Sequence, residues 1–302
     1  MNVLIVGLGS IAKKHINALR EIDSAVNFYA LRSSKTSKTE ERVENIFNFE
    51  EIKALQLDFC IISSPTSVHF EHIKLLTPLN IPLFIEKPLS HTLEVECLKN
   101  KLAETKTYVA CNLRFLDALR FVKDKILSDS KLIINEVQVY CGSYLPDWRP
   151  GVDFRSVYSA IPELGGGVHL DLIHELDYVY WLFGKPDKNT KSLHSKSSLD
   201  IQSVDFATYQ LSYNMFECLL SLNYFRRKPK REIEIVCNAY TIRVDLLTNT
   251  VYKDEEVVFE SEQTILDTYK TQLEYFISEN KPFNDFNEAL EVLSICLKEE
   301  KC

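Results

Sequence analysis

Short apolar runs recur through the first 112 residues and alternate with longer stretches of mixed polarity. The runs are NVLIVG, VNFYALR, DFCIIS, PLFIE and YVACN, which begin at residues 2, 26, 58, 82 and 108. Uninterrupted apolar runs of this length are typical of strands buried on both faces of a parallel sheet. Because helical stretches separate them, the pattern predicts an α/β fold in this part of the chain.

The second half of the chain has a different pattern, in which apolar and polar residues alternate. In FECLLSLNYF one strand face is apolar and the other is mixed; the apolar face carries Phe216, Cys218, Leu220, Leu222 and Tyr224. A sheet with one packed and one semi-apolar face could dimerise through the second face. Two helical stretches, at about 262–280 and 284–299, are expected to close the chain, and the apolar stripe of the second predicts packing onto a core.

A glycine motif follows the first apolar run directly. The chain passes from NVLIV into GLGSIA and then into a helical stretch, so GxGxxA stands in the strand–turn–helix setting of the dinucleotide-binding fingerprint. The first glycine allows a tight turn, the second lets the backbone approach a pyrophosphate, and the alanine lets the helix pack closely. The N–H groups at the helix start then face the anion. We therefore expect cofactor contacts from Gly7, Gly9, Ser10, Ile11 and Ala12.

The residues after the second strand bear on the choice of cofactor. NAD enzymes usually place an acidic residue there for the ribose 2′-hydroxyl, whereas this chain has Arg32, Ser33, Ser34 and then a lysine. Arginine and serine would bind a 2′-phosphate that a carboxylate would repel. The pattern favours NADP(H), while NAD(H) remains possible because Arg32 could instead stack on the adenine of either cofactor.

Polar residues follow three further strands. Ser64, Lys87 and Asn112 come at or just after the ends of DFCIIS, PLFIE and YVACN. Ligands of open α/β sheets gather at the carboxyl ends of strands, so these side chains are expected to line one crevice with the glycine turn. The alternative for Lys87 is a side chain that snorkels from the strand end to solvent.

Composition narrows the classes of partner. The 302 residues are 45% hydrophobic and carry a net charge of −8, which argues against a nucleic-acid surface. The one basic run, RRKPKR at 226–231, reads either as a solvated turn between two strands or as a site for an anionic substrate group. No apolar stretch approaches the ~20 residues that a membrane span needs, and the first residues lack the features of a signal peptide. The cysteines lack the spacing of metal ligands. We expect a cytoplasmic protein with no metal, membrane or nucleic-acid partner.

Five segments together resemble the Gfo/Idh/MocA family of nicotinamide-dependent oxidoreductases: GLGSIAKKH, SPTSVHFEH, IEKPLS, CNLRF and GGGVHLDLIHELD. The resemblance implies a Rossmann domain, which we place at 1–116. It also implies an α+β domain with an open, mainly antiparallel sheet, at 117–302, for substrate binding and homo-oligomerisation as a dimer or tetramer. Members mostly oxidise or reduce a carbon of a sugar, cyclitol or nucleotide sugar. LPDWRPGVDFRSVYSA also resembles a subgroup associated with surface-glycan sugar pathways.

The resemblance assigns roles to matched residues. Lys87 matches the lysine of the family's Glu-Lys-Pro motif, and Asp171 and His174 match its Asp-x-x-His pair, so these three are the expected catalytic residues. The cofactor-flanking residues are expected to be Ser64, Pro65, His69 and Glu86, with Lys87. Asn112 and Arg114 of the Asn-x-Arg-Phe segment are expected to contact the substrate.

The segment Gly165–Gly184 reads as one buried helix with a polar stripe. Asp171 and His174, three residues apart, share a helix face. His169 lies outside this series and is expected to be structural or a secondary substrate contact. The glycines at 165–167 are expected to let the chain approach the nicotinamide or the substrate. In the resulting hypothesis His174 moves the proton, Lys87 stabilises negative charge on the reacting oxygen, and Asp171 orients the histidine or a second hydroxyl.

The loop DWRPGVDFR and its continuation add further candidates. Two interpretations stay open: a surface loop held by ion pairs, or a substrate clamp whose arginines bind a carboxylate or phosphate. The clamp residues would be Trp148, Arg149, Arg155 and Tyr158. Three functions also stay open: a reductase or dehydrogenase of a sugar-like compound, a redox-neutral sugar-modifying enzyme that retains its cofactor, and a non-catalytic NADP(H)-sensing regulatory protein.

Overall fold

A computed structural model describes residues 1–36 and 39–298, and its chain has the expected α/β class. The described residues form two compact units. Unit 1 contains Met1–Asn112 with Leu266–Leu293, and unit 2 contains Leu113–Ile265 with the described residues from Ser294 onward.

Unit 1 is built on a six-stranded sheet in which every pairing is parallel. Its strands are β1 (Asn2–Val6), β2 (Asn27–Leu31), β3 (Val43–Ile46), β4 (Phe59–Ile62), β5 (Leu83–Glu86) and β6 (Thr107–Ala110). Their order is β3-β2-β1-β4-β5-β6, so the strand order reverses between β1 and β4, where Rossmann folds bind dinucleotides. The apolar runs predicted five of these strands, whereas β3, with the sequence VENI, has no such run.

Eight α-helices are described. They are α1 (Ser10–Ile22), α2 (Phe49–Lys53), α3 (His69–Leu76), α4 (Asp117–Phe121), α5 (Val168–Asp171), α6 (His174–Phe183), α7 (Ile265–Ser278) and α8 (Phe286–Leu297). None of the helices in the described part of the chain has the length and apolar character needed to cross a membrane.

Most of α7 and α8 clusters with unit 1, although the sequence analysis had assigned residues 117–302 to the second domain. The reason is aromatic packing. Phe276 of α7 is 1% exposed, and its ring centroid lies 5.4 Å from that of Phe59 and 5.5 Å from that of Phe84. The apolar stripe of α7 therefore belongs to the core of the parallel sheet, which a linear division of the sequence cannot represent.

Unit 2 is built on an open eight-stranded sheet. Its strands are β7 (Ile134–Tyr144), β8 (Lys188–His194), β9 (Phe206–Ser212), β10 (Glu217–Asn223), β11 (Phe225–Cys237), β12 (Thr241–Asp245), β13 (Thr250–Lys253) and β14 (Glu256–Glu260). The order is β14-β13-β12-β11-β7-β10-β9-β8, and only the β10–β7 pairing is parallel. Cys218, Leu220 and Leu222 are buried on one face while Leu219 on the other is 43% exposed, so the predicted packed face of β10 is confirmed.

The basic run 226–231 lies inside β11, so its interpretation as a turn is wrong. The register against β7 shifts between Phe225 and Lys230, and this irregularity accommodates the proline in the run. Arg226 and Arg227 lie over the rings of Tyr140 and Tyr144. The run is therefore a strand segment whose first two arginines pack on tyrosine rings of β7.

Candidate functional site

The turn between β1 and α1 is tightly packed at its first glycine and open at its second. Gly7 has φ +93°, and an added Cβ would lie 2.4 Å from the backbone N of Ser64. The Ser63 hydroxyl donates a hydrogen bond to the Gly7 carbonyl at 2.9 Å. An added Cβ at Gly9, by contrast, would meet nothing within 4 Å. The turn is thus bound to β4 on one side and leaves a cradle beside Gly9.

These residues fit the pyrophosphate of a dinucleotide. Gly9 is the N-cap of α1, whose first turn has no acidic residue to occupy its N–H groups. Ser10 is exposed, Ile11 is half-buried and Ala12 is fully buried against the sheet. A helix start with accessible N–H groups and a positive dipole end binds anions. Gly9, Ser10 and Ile11 would therefore hold the pyrophosphate, and Ala12 provides the close helix packing.

The end of β2 carries the predicted cofactor-selecting residues. The Arg32 backbone N–H donates to the Ile46 carbonyl at 2.9 Å, and its side chain is half-buried. Ser33 and Ser34 are exposed, and the Ser34 hydroxyl lies 2.8 Å from that of Thr36. No carboxylate occurs among residues 32–36, so a phosphate on the ribose would meet no like charge from this segment.

The loops after β4 and β5 are connected by His69. Its Nδ1 lies 2.9 Å from the Pro88 carbonyl and its Nε2 lies 2.9 Å from the Ser64 carbonyl. Burial lowers the pKa of His69, so the ring is neutral and donates to one carbonyl at a time. Ser64 also lies 2.8 Å from His72 through its hydroxyl, while Pro65 is exposed. His69 therefore acts on the loop geometry, and Pro65 is the accessible member of the predicted set.

A buried pair that the sequence analysis missed fixes the residue before Lys87. His15 of α1 is 0% exposed, and its Nε2 lies 2.5 Å from Oε1 of Glu86. Glu86 is itself buried at the end of β5, whereas Lys87 is half-buried. The pair attaches the strand end that carries Lys87 to the helix that follows the glycine turn. The sequence signal was the KKH segment, whose histidine falls on the buried face of α1.

Asn112 lies at the end of unit 1 and already has a protein partner. Its side-chain amide donates a 2.7 Å hydrogen bond to the Thr268 hydroxyl of α7, and the residue is 4% exposed. This contact gives Asn112 a structural role, and substrate binding by it stays a prediction.

In unit 2, Asp171 is held by two tyrosine hydroxyls. Tyr158 donates to its Oδ1 at 2.9 Å and Tyr224 donates to its Oδ2 at 2.5 Å. Burial and the Asp171 charge raise the pKa of both tyrosines, which keeps them protonated and able to donate. The Trp148 ring packs edge-on against Tyr224 with centroids 5.3 Å apart. Asp171 is therefore a carboxylate positioned by a hydrogen bond to each of its oxygens.

The segment predicted as one helix is broken between its two key residues. α5 ends at Asp171 and α6 begins at His174, with Leu172 and Ile173 in a turn. The Glu175 N–H donates to the Leu172 carbonyl at 3.1 Å, three residues back. Residues three apart are eclipsed in such a tight turn, so Asp171 and His174 still share a side of the chain.

Two of the three glycines pack closely against other parts of the chain, Gly166 against backbone and Gly167 against a side chain. An added Cβ at Gly166 would lie 2.1 Å from the Tyr158 carbonyl oxygen, and one at Gly167 would lie 2.6 Å from the His169 ring. The expectation that the glycines meet a ligand is therefore corrected for Gly166, whose close partner is the turn around Tyr158. This packing sets the position of the residue that holds Asp171.

Two more acids of this segment are buried in ion pairs. Arg114 is 0% exposed, and its Nε and Nη2 donate to the two oxygens of Asp177 at 2.8 and 2.7 Å. Glu175 is also fully buried and accepts from Nε of Arg231 at 2.9 Å. Full burial points to a structural role for Arg114 rather than the expected substrate contact. The density of charges on an apolar helix is thus largely explained by pairing, which sequence alone could not assign.

His169 is a buried neutral group. Burial, with a smaller effect of Lys191, lowers its pKa to about 4, and the residue is 8% exposed. It is uncharged at neutral pH, in agreement with a structural residue.

The loop 145–160 connects three of the four clamp candidates to Asp171 through Tyr158 and Tyr224, whereas Arg155 contacts Phe154. Trp148 donates from Nε1 to the Ser143 hydroxyl at 2.9 Å. The guanidinium of Arg149 lies over the Tyr158 ring, 5.6 Å from its centroid, and that of Arg155 lies over the Phe154 ring at 4.5 Å. Both arginines are exposed, and each lies over an aromatic ring.

Comparison with known proteins agrees with this geometry. Residues 1–113 match the GFO_IDH_MocA family model, described as an oxidoreductase family with an NAD-binding Rossmann fold. The chain is 26% identical over 203 residues to the rhizopine catabolism protein MocA of Rhizobium meliloti, covering 64% of this chain and 61% of that protein. It is 24% identical over 208 residues to scyllo-inositol 2-dehydrogenase (NADP(+)) IolW of Bacillus subtilis strain 168, covering 64% and 55%. The chain thus spans about three fifths of the length of the curated relatives it matches.

A solved structure extends the likeness of fold to almost the whole chain. UDP-N-acetylglucosamine 3-dehydrogenase of Acidithiobacillus ferrooxidans superposes with a TM-score of 0.77 at 19% identity, covering 98% of this chain and 95% of that one. The glycine turn and the parallel sheet agree with the sequence match, in which residues 1–113 resemble the Gfo/Idh/MocA family of oxidoreductases.

Proposed function

We propose that this chain is an NAD(P)-dependent oxidoreductase that transfers a hydride between nicotinamide and a carbon of a sugar, nucleotide sugar or related hydroxy or keto compound. The observation that carries the proposal is the β1–α1 turn, closed against β4 at Gly7 and open beside Gly9. The names of the relatives include a dehydrogenase of a cyclic polyol and one of a nucleotide sugar, which supports this substrate range. A role in surface-glycan sugar biosynthesis is part of the proposal.

The chain's own residues would supply the proton chemistry, while a bound nicotinamide would supply or accept the hydride. His174 takes the proton of the reacting hydroxyl, or returns it to a carbonyl, because imidazole titrates near neutral pH. Lys87 donates a hydrogen bond to the same oxygen and stabilises its negative charge. Asp171, which accepts hydrogen bonds from two tyrosines, acts as a positioned carboxylate that orients its neighbours.

The preferred cofactor is NADP(H), with NAD(H) as the alternative. The basis is the segment after β2, where Arg32, Ser33 and Ser34 stand in place of an acidic residue. One relative is named as NADP(+)-dependent, in keeping with this preference. We expect Arg32→Ala to weaken NADPH binding by roughly tenfold or more and NADH binding little, since a guanidinium–phosphate contact contributes about 1.5–3 kcal/mol. Equal losses for both cofactors in a calorimetric titration would refute the 2′-phosphate contact.

The reaction itself is tested by replacing the proposed proton carrier. His174→Ala should lower kcat by about 10²–10⁴-fold while leaving cofactor affinity unchanged, because only the proton transfer is lost. His194→Ala, which removes an exposed histidine of β8, is the matched control and should keep wild-type turnover. A redox-neutral enzyme would instead be purified with bound cofactor, and a cofactor-sensing protein would bind cofactor yet turn over no sugar in either form.

The exposed face of the eight-stranded sheet, the face that carries Leu219, would form a homo-oligomer interface. Arg226 and Arg227 lie near its Tyr144 end, whereas Glu136 and Glu217 pair in register at the other end. A two-fold axis would set the basic end of one copy against the acidic end of the other. Light scattering should give a dimer or tetramer for the wild type and a smaller species for Leu219→Arg, a change at an exposed apolar position of this face. A wild-type monomer at micromolar concentration would refute the interface.

A further inference from the structure

Arg149 and Arg155 carry exposed positive charges without acidic partners in the described chain. No carboxylate oxygen of residues 1–36 or 39–298 forms an ion pair with either guanidinium within 4.0 Å. Asp153, the nearest acid in the sequence, accepts from the Arg155 backbone N–H at 3.0 Å instead. The loop is therefore not held by the ion pairs that one interpretation of its sequence required. Although the chain has a net charge of −8, these two arginines have no acidic partner among the described residues and are therefore able to bind an external anion.

Only one of these arginines is connected to the proposed site through a shared side chain. Arg149 lies over the face of Tyr158, and the hydroxyl of Tyr158 donates to Asp171 at 2.9 Å. Burial and Asp171 raise the pKa of Tyr158, so this hydrogen bond persists at neutral pH. One ring thus contacts both the Arg149 cation and the Asp171 carboxylate. Arg155 lies over Phe154, which has no comparable hydroxyl.

Asp171 forms no ion pair with Arg149 within 4.0 Å in the described chain. Both carboxylate oxygens already accept hydrogen bonds, from Tyr158 and Tyr224. A guanidinium that stacks by its face keeps its edge N–H groups available, and these bind oxyanions in a bidentate manner. An anion bound there would lie beside Tyr158, the residue whose hydroxyl holds the Asp171 carboxylate of the proposed site.

We infer that Arg149 binds an anionic substituent of the substrate, so that the sugar acted on carries a phosphate, a diphosphate or a carboxylate. This inference rests on the proposed function and deepens it by naming the substrate class. A neutral hexose or cyclitol lacks the group that Arg149 recognises. Such compounds are poor substrates because they leave the guanidinium without its partner.

The test compares charged and neutral members of matched pairs. The purified enzyme is given NADP+ or NAD+ with glucose 6-phosphate against glucose, glucuronate against glucose, and UDP-N-acetylglucosamine against N-acetylglucosamine. We expect at least one charged member to have a kcat/KM about 10- to 100-fold above that of its neutral counterpart, the range of one charge-assisted pair. The pair that responds identifies which source supplies the anion.

Variants of Arg149 test whether this residue causes the preference for charged substrates. Arg149→Ala should remove the charged-over-neutral ratio, and Arg149→Lys should restore it only in part because lysine lacks the planar fork. Arg243→Ala is the control: its guanidinium also lies over a tyrosine, Tyr252, but has Glu232 as a partner at 3.9 Å. It should keep the wild-type ratio. A ratio near one in the wild type, or a ratio unchanged in Arg149→Ala, overturns the inference.

A binding arm separates this inference from the proposed function. The same compounds are titrated into the cofactor-loaded wild type and Arg149→Ala by calorimetry. Tighter binding of a charged member, lost in the variant, supports the inference even when turnover is slow, and binding of none of the charged members overturns it. Cofactor binding is measured on the same samples. If the wild type binds neither nicotinamide cofactor, the proposed function fails; if it binds one and prefers neutral sugars, only the anion inference fails.

Discussion

Replacing each glycine of the β1–α1 turn by alanine should separate the structural part of this turn from the part that binds cofactor. At Gly7 the new methyl group would lie 2.4 Å from both N and Cα of Ser64, at a φ of +93° that alanine disfavours. The left-handed backbone costs roughly 1–2 kcal/mol, and forcing backbone apart in a packed site costs roughly 1–3 kcal/mol more. We therefore expect Gly7→Ala to lower the free energy of unfolding by about 2–5 kcal/mol, a large part of a typical 5–15 kcal/mol.

Gly9→Ala provides the contrast. Gly9 has φ −92° and ψ −166°, an extended conformation that alanine adopts, and its new methyl group meets no protein atom within 4 Å. Unfolding free energy should stay within about 1 kcal/mol of the wild type. Dinucleotide affinity should nevertheless fall by at least about tenfold, since the methyl group enters the space proposed for the pyrophosphate.

The assay pairs urea unfolding with calorimetric titration of NADPH for both variants. Unfolding reports the cost at Gly7, and titration reports the loss at Gly9. A Gly7→Ala protein as stable as the wild type would contradict the packing argument. Unchanged NADPH affinity in Gly9→Ala would contradict the assignment of the open cradle to a pyrophosphate.

Three further outcomes follow from unit 2. Asp177→Asn should lower the unfolding free energy by about 3–5 kcal/mol, because it leaves the Arg114 charge buried without its counter-ion; the exposed-pair variant Glu50→Gln should cost under about 1 kcal/mol. His169 should make the protein less stable as pH falls, because its folded pKa of about 4 lies below the unfolded value. Between about pH 6.5 and pH 4 the unfolded chain therefore binds a proton that the folded protein does not, which lowers the free energy of unfolding by about 3 kcal/mol. Denaturation measured at these two pH values should show this loss in the wild type but not in His169→Gln. His174→Ala should retain wild-type stability while losing turnover, and an equal loss of both would show that it acts structurally.

Much of unit 1 could be predicted from short-range patterns in the sequence. Apolar runs and a GxGxxA turn are local signals, and they predicted the central parallel strands and the tight turn at Gly7. The resemblance to a known family supplied the open antiparallel sheet of unit 2. Strand β3 was not predicted because its sequence VENI, at the edge of the sheet, lacks an apolar run. Helix α7 was assigned to the second domain by its position in the chain, although its Phe276 packs on the parallel sheet.

The features of the site that sequence could not supply are long-range pairings. Tyr224 lies 53 residues from Asp171, and Arg231 lies 56 residues from Glu175, so no spacing rule connects them. Gly166 was expected to approach a ligand, but its partner is a turn formed by Tyr158. One of the two interpretations of the basic run, a solvated turn, relied on its proline, but a register shift in β11 accommodates that proline within a strand.

The measurement that tests the central claim most directly is a calorimetric titration of NADPH, and separately of NADH, into the purified wild-type protein. The β1–α1 turn and the residues after β2 predict that both bind, with NADPH the tighter. Binding of neither cofactor to a folded protein would contradict the claim that this chain is a nicotinamide-dependent oxidoreductase.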